Sequence, residues 1–160
     1  MVMPRTDQLK VECIASVVAG DSVASQSFAL VRLCIGAHVL GTLEDATYLP
    51  TFKGGFLRML QAPPAGEREL ACLSSNHWQT SMFGNDVDGR YLVSLGETFD
   101  DFLIMACRVD SHLVIIWALL ENPVFEYPGL IAGVPLRCEV LLSDAEAAFQ
   151  AFLDLTELNR

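Results

Sequence analysis

Residues 102–120 read FLIMACRVDSHLVIIWALL, and this stretch decides the class of fold. It contains two apolar runs, Phe102 to Val109 and His112 to Leu120, with Asp110-Ser111 between them. Asp and Ser favour turns, so the order of strand, short turn and strand predicts an antiparallel hairpin. Every position after His112 is apolar, which predicts a central strand that is covered on both faces.

Further strands are predicted on both sides of this hairpin. Phe28 to Ile35 alternates between apolar residues on one face and Arg32 on the other. Gly36-Ala37-His38 then favours a turn into a short strand, which gives another hairpin, the first in chain order. The other strand candidates are Val11 to Val18, Val39-Leu40, Tyr91 to Leu95 and Pro135 to Leu142.

One helix is predicted from Leu49 to Leu60. Pro50 suits the first turn of a helix, and apolar residues then recur at helical spacing through Phe52 and Phe56. Gly54-Gly55 weakens this helix by about 1 kcal/mol per glycine relative to alanine. We therefore expect a buried apolar face to stabilise it.

A second helix is predicted at the C-terminal end of the chain. Ser143 followed by Glu146 forms a capping box for its first turn. One face of the helix is apolar, with Ala145, Ala148, Phe149, Phe152 and Leu153. Sequential strands joined by short turns predict an α+β fold in a single domain of residues 1–160. We expect an antiparallel β-sheet of about six strands, with one helix after the first hairpin and the C-terminal amphipathic helix packed on it.

The charge of the chain restricts the class of partner. With 20 acidic and 10 basic residues among 160, the formal net charge is −10. Nucleic acids and anionic membranes bind Lys/Arg patches, so neither is expected as a partner. The charge favours a basic protein partner or serves solubility alone. Because the N-terminus lacks a signal-peptide pattern and no apolar run is long enough to span a membrane, we expect a cytoplasmic protein.

The usual signatures of catalysis and metal binding are missing from the sequence. It contains no phosphate-binding glycine loop, and residues 84–95 fail the calcium-loop pattern because Leu95 stands where a glutamate is needed. The five cysteines and three histidines are widely spaced. We therefore expect no catalytic residue, no metal and no cofactor. A Cys/His site that joins Cys72 or Cys107 to His77 or His112 stays open as an alternative.

Acidic residues in predicted loops are the side chains best placed to meet a partner, because a rigid sheet presents such loops. Trp78 lies in a polar stretch and would be a binding residue if exposed, or a core residue under a loop. Asp100 and Asp101 face a partner or set the turn before the next strand. The full set of predicted partner-binding residues is Glu44, Asp45, Trp78, Asp86, Asp88, Glu97, Asp100 and Asp101.

Two segments resemble a family of bacterial polymorphic-toxin immunity proteins. Residues 27–41, SFALVRLCIGAHVLG, look like the family's opening hairpin, and Leu49 to Leu60 matches the helix that follows it. Residues 96–104, GETFDDFLI, resemble the family's F-D-D-(W/F) segment, with Phe102 where tryptophan is usual. The resemblance extends from Ser27 to Phe152 and points to the immunity protein forty-two family. The segment Tyr127-Pro128-Gly129 has no clear counterpart.

The resemblance implies an immunity protein, or antitoxin, that is not an enzyme. Such a protein binds a cognate toxin of a bacterial secretion system, the C-terminal domain of a secreted effector, and blocks it stoichiometrically. Because the N-terminus lacks a signal-peptide pattern, such a toxin would act in the cytosol. The net charge of −10 and the loop acids favour a toxin with a basic cleft. The protein itself would be a monomer or a homodimer. Two alternatives stay open, a type III-like secretion chaperone for an effector and a small enzyme with an unrecognised Cys/His site.

Overall fold

The computed structural model describes residues 7–15, 28–73 and 89–157. The strands in these ranges are β1 (Leu9–Ala15), β2 (Phe28–Ile35), β3 (His38–Leu40), β4 (Thr47–Tyr48), β5 (Leu92–Val93), β6 (Phe102–Val109), β7 (His112–Leu119) and β8 (Leu136–Leu141). The helices are α1 (Leu49–Leu60), α2 (Glu67–Leu73) and α3 (Leu142–Glu157). Short 3-10 helices cover Gly89–Tyr91 and Glu97–Phe99.

The described strands form two antiparallel sheets. In the N-terminal sheet the order is β1-β2-β3, with β4 also paired to β2. The C-terminal sheet has the order β5-β6-β7-β8. This confirms the α+β class and the antiparallel pairing, but the strands divide over two sheets instead of one. The chain leaves the first sheet through α1 and α2, and the strands that follow pair with one another.

Asp7 links the two sheets at their edges. Its backbone amide donates a hydrogen bond of 2.8 Å to the carbonyl of Glu139 in β8. The amide of Glu139 donates in return to the Asp7 carboxylate, at 3.3 Å. The strand that follows Asp7, β1, belongs to the first sheet, so this pair of bonds holds β1 and β8 together.

The largest hydrophobic cluster combines residues of both sheets with α1 and α3. Strand β7 contributes Leu113, Ile115 and Trp117 to this cluster. Its alternate residues Val114 and Ile116 pack into a second cluster, on the opposite face, together with Leu70 of α2 and Tyr91. The prediction that β7 is covered on both faces is therefore confirmed.

Helix α1 has the predicted bounds, and its two glycines occupy different environments. A Cβ atom on Gly55 would lie 2.0 Å from the backbone oxygen of Ser94, whereas one on Gly54 would meet nothing within 4 Å. Gly55 thus allows α1 to pack directly on the backbone that precedes the 3-10 helix Glu97–Phe99. Helix α1 also packs against α3, where the stacked rings of Phe56 and Phe149 have their centroids 4.9 Å apart.

Some boundaries differ from those predicted. Strand β1 begins at Leu9, two residues before the predicted start, and its predicted end at Val18 lies outside the described residues. Strand β5 is limited to Leu92–Val93, because Tyr91 belongs to a 3-10 helix and residues 94–95 lie outside any strand. Helix α3 begins at Leu142, directly after β8, so Ser143 lies within its first turn and is not the N-cap. Helix α2 occupies a segment for which no element was predicted. Among the described residues, no helix has the length and apolar character needed to cross a membrane.

Candidate functional site

Glu44 and Asp45 lie in the loop that joins β3 to β4, and both side chains are exposed. The loop is held by its own hydrogen bonds, since the amide of Glu44 donates to the Thr42 hydroxyl at 3.0 Å. Gly41 has a φ of +100°, and a Cβ atom there would be 2.6 Å from the Phe99 ring. The loop with these two acids therefore packs closely against the segment that contains Glu97 and Asp100.

Glu97 and Asp100 flank the buried side chains of Thr98 and Phe99 and are both exposed. The tight 3-10 turn produces this arrangement, with the amide of Asp100 donating to the Glu97 carbonyl at 3.1 Å. Beneath the turn, the hydroxyl of Thr98 shares a hydrogen bond with that of Thr47 in β4. The acids are thus presented on a short segment anchored to the N-terminal sheet.

A cleft of about 430 Å³ separates this segment from the start of β2 and the end of β4. Phe28 and Tyr48 face each other across the β2–β4 pairing, with ring centroids 5.2 Å apart. Both residues are exposed, with exposed fractions of 39% for Phe28 and 47% for Tyr48. We call the cleft lined by Phe28, Tyr48, Glu97 and Asp100 the aromatic–acidic cleft.

Sequence reasoning identified the two acids of this cleft but missed its two aromatic residues. Phe28 is four residues before Arg32 in β2, so both side chains lie on the same, outer face of the strand. The alternation of the sequence therefore indicates that the ring of Phe28 points away from the core. Tyr48 carries no such signal, because β4 has only two residues.

A second cleft, of about 500 Å³, lies between β3 and residues 126–130. Glu44 and Glu126 line it together with Arg32, whose guanidinium forms an ion pair with Glu12 in β1. This cleft therefore has both signs of charge at its walls. Among the described residues that line it, the aromatic–acidic cleft has two acids and no basic residue, so it is the better candidate for a cationic partner.

The structure places Asp101 inside the protein, not on the surface where we expected it to face a partner. Its exposed fraction is 8%. The carboxylate accepts hydrogen bonds from the amides of Val124 at 2.8 Å and Phe125 at 3.0 Å, and from the hydroxyl of Tyr127 at 3.0 Å. Burial, together with the hydrogen bond to Asp101, raises the pKa of Tyr127 well above its ordinary value. Asp101 thus holds the segment that follows β7.

Three predicted partner-binding residues, Trp78, Asp86 and Asp88, lie outside the described residues. Their roles stay predictions.

The described cysteines are poor candidates for a nucleophile. Burial raises the pKa of Cys107 to about 11, so its thiol stays protonated near neutral pH. His77, one of its predicted partners, is outside the described residues. Within residues 7–15, 28–73 and 89–157, no group of three or more His, Cys, Asp and Glu side chains is placed to hold a metal ion.

No protein-family model and no curated protein sequence matches this chain. The assignment to the immunity protein forty-two family therefore stays a prediction. Among solved structures, the fold is similar to that of the crystal structure of CdiI from Burkholderia dolosa AUO158, with a TM-score of 0.55. The match covers 92% of this chain and 94% of that chain at 14% sequence identity. The two proteins thus share a fold over nearly their whole lengths.

Proposed function

We propose that this protein is an immunity protein that binds a cognate bacterial toxin and neutralises it by covering the toxin's active or substrate site. The observation that carries the proposal is the fold shared with CdiI over 92% of the chain, since CdiI is an immunity protein of contact-dependent inhibition. The sequence resemblance to polymorphic-toxin immunity proteins supports the same class of protein. It rests on local sequence motifs, so it is separate from the likeness of fold.

The exposed acids support a toxin with a basic surface as the partner. Glu44, Asp45, Glu97 and Asp100 are exposed, and they lie on two segments that pack against each other through Gly41 and Phe99. Together with the net charge of −10, they would attract a basic surface and speed its association. We therefore propose these four residues as the partner-facing acids, for a toxin that acts in the cytoplasm.

The proposal predicts a toxin gene beside this one, and the test uses the toxin domain that such a gene encodes. The domain is expressed in a test bacterium with and without this protein, and growth is followed. We expect growth to be rescued, and a one-to-one complex to be recovered by size-exclusion chromatography with light scattering. Unchanged killing in the presence of excess protein, with no complex formed, would refute the proposal. Two copies of the chain holding an unfolded effector segment would instead indicate a secretion chaperone.

A further inference from the structure

The aromatic–acidic cleft has an aromatic wall, Phe28 and Tyr48, and an acidic wall, Glu97 and Asp100. Together the two walls indicate which kind of ligand the cleft binds. On the assumption that the proposed function is correct, we infer that this cleft binds an arginine side chain of the toxin. The guanidinium group lies against the rings of Phe28 and Tyr48 and donates hydrogen bonds to the carboxylates of Glu97 and Asp100.

The aromatic wall favours the binding of a flat or cationic group. The ring centroids of Phe28 and Tyr48 lie 5.2 Å apart with an angle of 47° between the rings, and each residue is more than a third exposed. An exposed pair of this kind is a site for stacking, and cations are attracted to the faces of aromatic rings. Aromatic residues and arginine are also the residues most enriched at the energetic centres of protein interfaces.

The acidic wall selects for positive charge. The residues between the two walls are small or polar, and none of them supplies a cation: Ala46, Thr47, Thr51, Ser94, Gly96 and Thr98. Glu97 and Asp100 thus have no basic neighbour in the cleft lining to balance their charge. A cationic side chain of the partner would supply that balance.

Arginine fits both walls better than lysine does. Its planar guanidinium stacks on aromatic rings and presents several N–H groups in the geometry that carboxylates accept. Lysine has a compact, strongly hydrated charge that gains less from stacking. The volume of about 430 Å³ also exceeds the needs of an ammonium group and leaves room for the aliphatic part of an arginine and its neighbours.

Contacts within the protein hold the two walls of the cleft next to each other. The hydroxyl groups of Thr47 and Thr98 join the strand with Tyr48 to the turn with Glu97. Gly55 lets α1 pack on Ser94, which lines the cleft. A site formed in advance loses little conformational freedom on binding, which favours affinity.

The chemistry of the cleft is tested first without the toxin, by NMR titration of the ¹⁵N-labelled protein with N-acetyl-arginine amide. The control ligand is N-acetyl-citrulline amide, which has nearly the same shape but no charge. We expect the arginine derivative alone to shift the amide signals of Tyr48, Gly96, Thr98 and Asp100. The shifts should vanish in the Glu97→Gln/Asp100→Asn variant. Equal shifts with both ligands, or shifts confined to other regions, would overturn the inference.

The same variants are then compared for affinity toward the toxin domain. We expect Glu97→Gln/Asp100→Asn and Tyr48→Leu each to weaken binding about tenfold or more. The matched control is Glu67→Gln/Glu69→Gln, which removes the same charge from α2, where Glu67 is exposed and Glu69 is half-buried, and it should change affinity less than threefold. Cleft variants that bind as well as the unchanged protein would overturn the inference while the immunity role stands. If the unchanged protein itself fails to bind the toxin, the proposed function is refuted.

Discussion

The hydroxyl group of Tyr127 donates a hydrogen bond to the carboxylate of Asp101, with 3.0 Å between the oxygens. The same carboxylate accepts two backbone amides of the segment after β7, so one buried acid satisfies three donors. We predict that Asp101→Ala lowers the free energy of unfolding by about 3 kcal/mol, because those donors lose a charged acceptor. Urea denaturation measures this loss.

The neighbouring acid is the control for this prediction. Asp100 is exposed, so Asp100→Ala should change the free energy of unfolding by no more than about 0.5 kcal/mol. Tyr127→Phe, which removes one of the three donors, should cost about 1 kcal/mol. Equal stability losses from Asp100→Ala and Asp101→Ala would contradict the contrast in burial between the two side chains.

The adjacent glycines of α1 should respond in opposite directions to alanine. Gly54→Ala should stabilise the protein by up to about 1 kcal/mol, because the position is exposed and alanine favours a helix. Gly55→Ala should destabilise it by about 2 kcal/mol, since the new methyl group would overlap the oxygen of Ser94. Thermal unfolding of the two variants checks both signs, and a stabilising Gly55→Ala would show that α1 does not pack as closely as described.

The hydroxyl groups of Thr47 and Thr98 bond to each other in a buried position. Replacing either one by valine leaves the other hydroxyl without its partner, so each single variant should lose about 1–2 kcal/mol of stability. The double variant removes both groups and should lose less than the sum of the two. A double-mutant cycle by chemical denaturation gives the coupling energy directly, and additive losses would mean that the hydrogen bond contributes nothing.

Buried thiols should make the protein less stable in alkaline solution. The pKa of Cys138 rises from 9.0 to about 12, first because of burial and then because of the negative charge of Asp7. The neutral Cys138 thiol contributes fully to the free energy of unfolding below about pH 9, and this contribution is lost as the pH rises toward 12. The reason is that between these two pH values the thiol ionises in the unfolded chain but not in the folded one. The slope reaches at most about 1.4 kcal/mol per pH unit for one thiol.

Cys138→Ala isolates that contribution. Between pH 8.5 and about pH 10.5 the free energy of unfolding of this variant should fall less steeply than that of the unchanged protein. Cys107, whose pKa rises to about 11, is present in both proteins and contributes equally to both slopes. Parallel stability curves for the two proteins would show that the Cys138 thiol ionises alike in the folded and unfolded chains.

Local signals in the sequence predicted several elements with their observed bounds. The alternation of β2, the apolar run of β6 and the helical spacing of α1 each extend over eight residues or more, and each matches the structure from its first residue to its last. The division into two sheets was not predictable in this way. Whether β4 pairs with β2 or joins the later strands depends on contacts between segments far apart in the sequence.

The candidate site was predictable only in part, for a similar reason. Asp100 and Asp101 are adjacent in the sequence, and only the fold distinguishes the exposed carboxylate from the one that binds the segment after β7. The aromatic wall is harder still to predict, because Phe28 and Tyr48 are 20 positions apart and meet only when β4 pairs with β2. A short run of acids is visible in a sequence, whereas a cleft is a property of the assembled chain.

The hydrogen bonds between Asp7 and Glu139 join residues that are 132 positions apart. Ribosomes add about 5–20 residues per second, so β8 is synthesised on the order of ten seconds after β1. Helix α3, which also packs against β1, is made later still. Under the proposed immunity role, a chain still under synthesis would not yet bind the toxin. Protection would then depend on the supply of completed molecules.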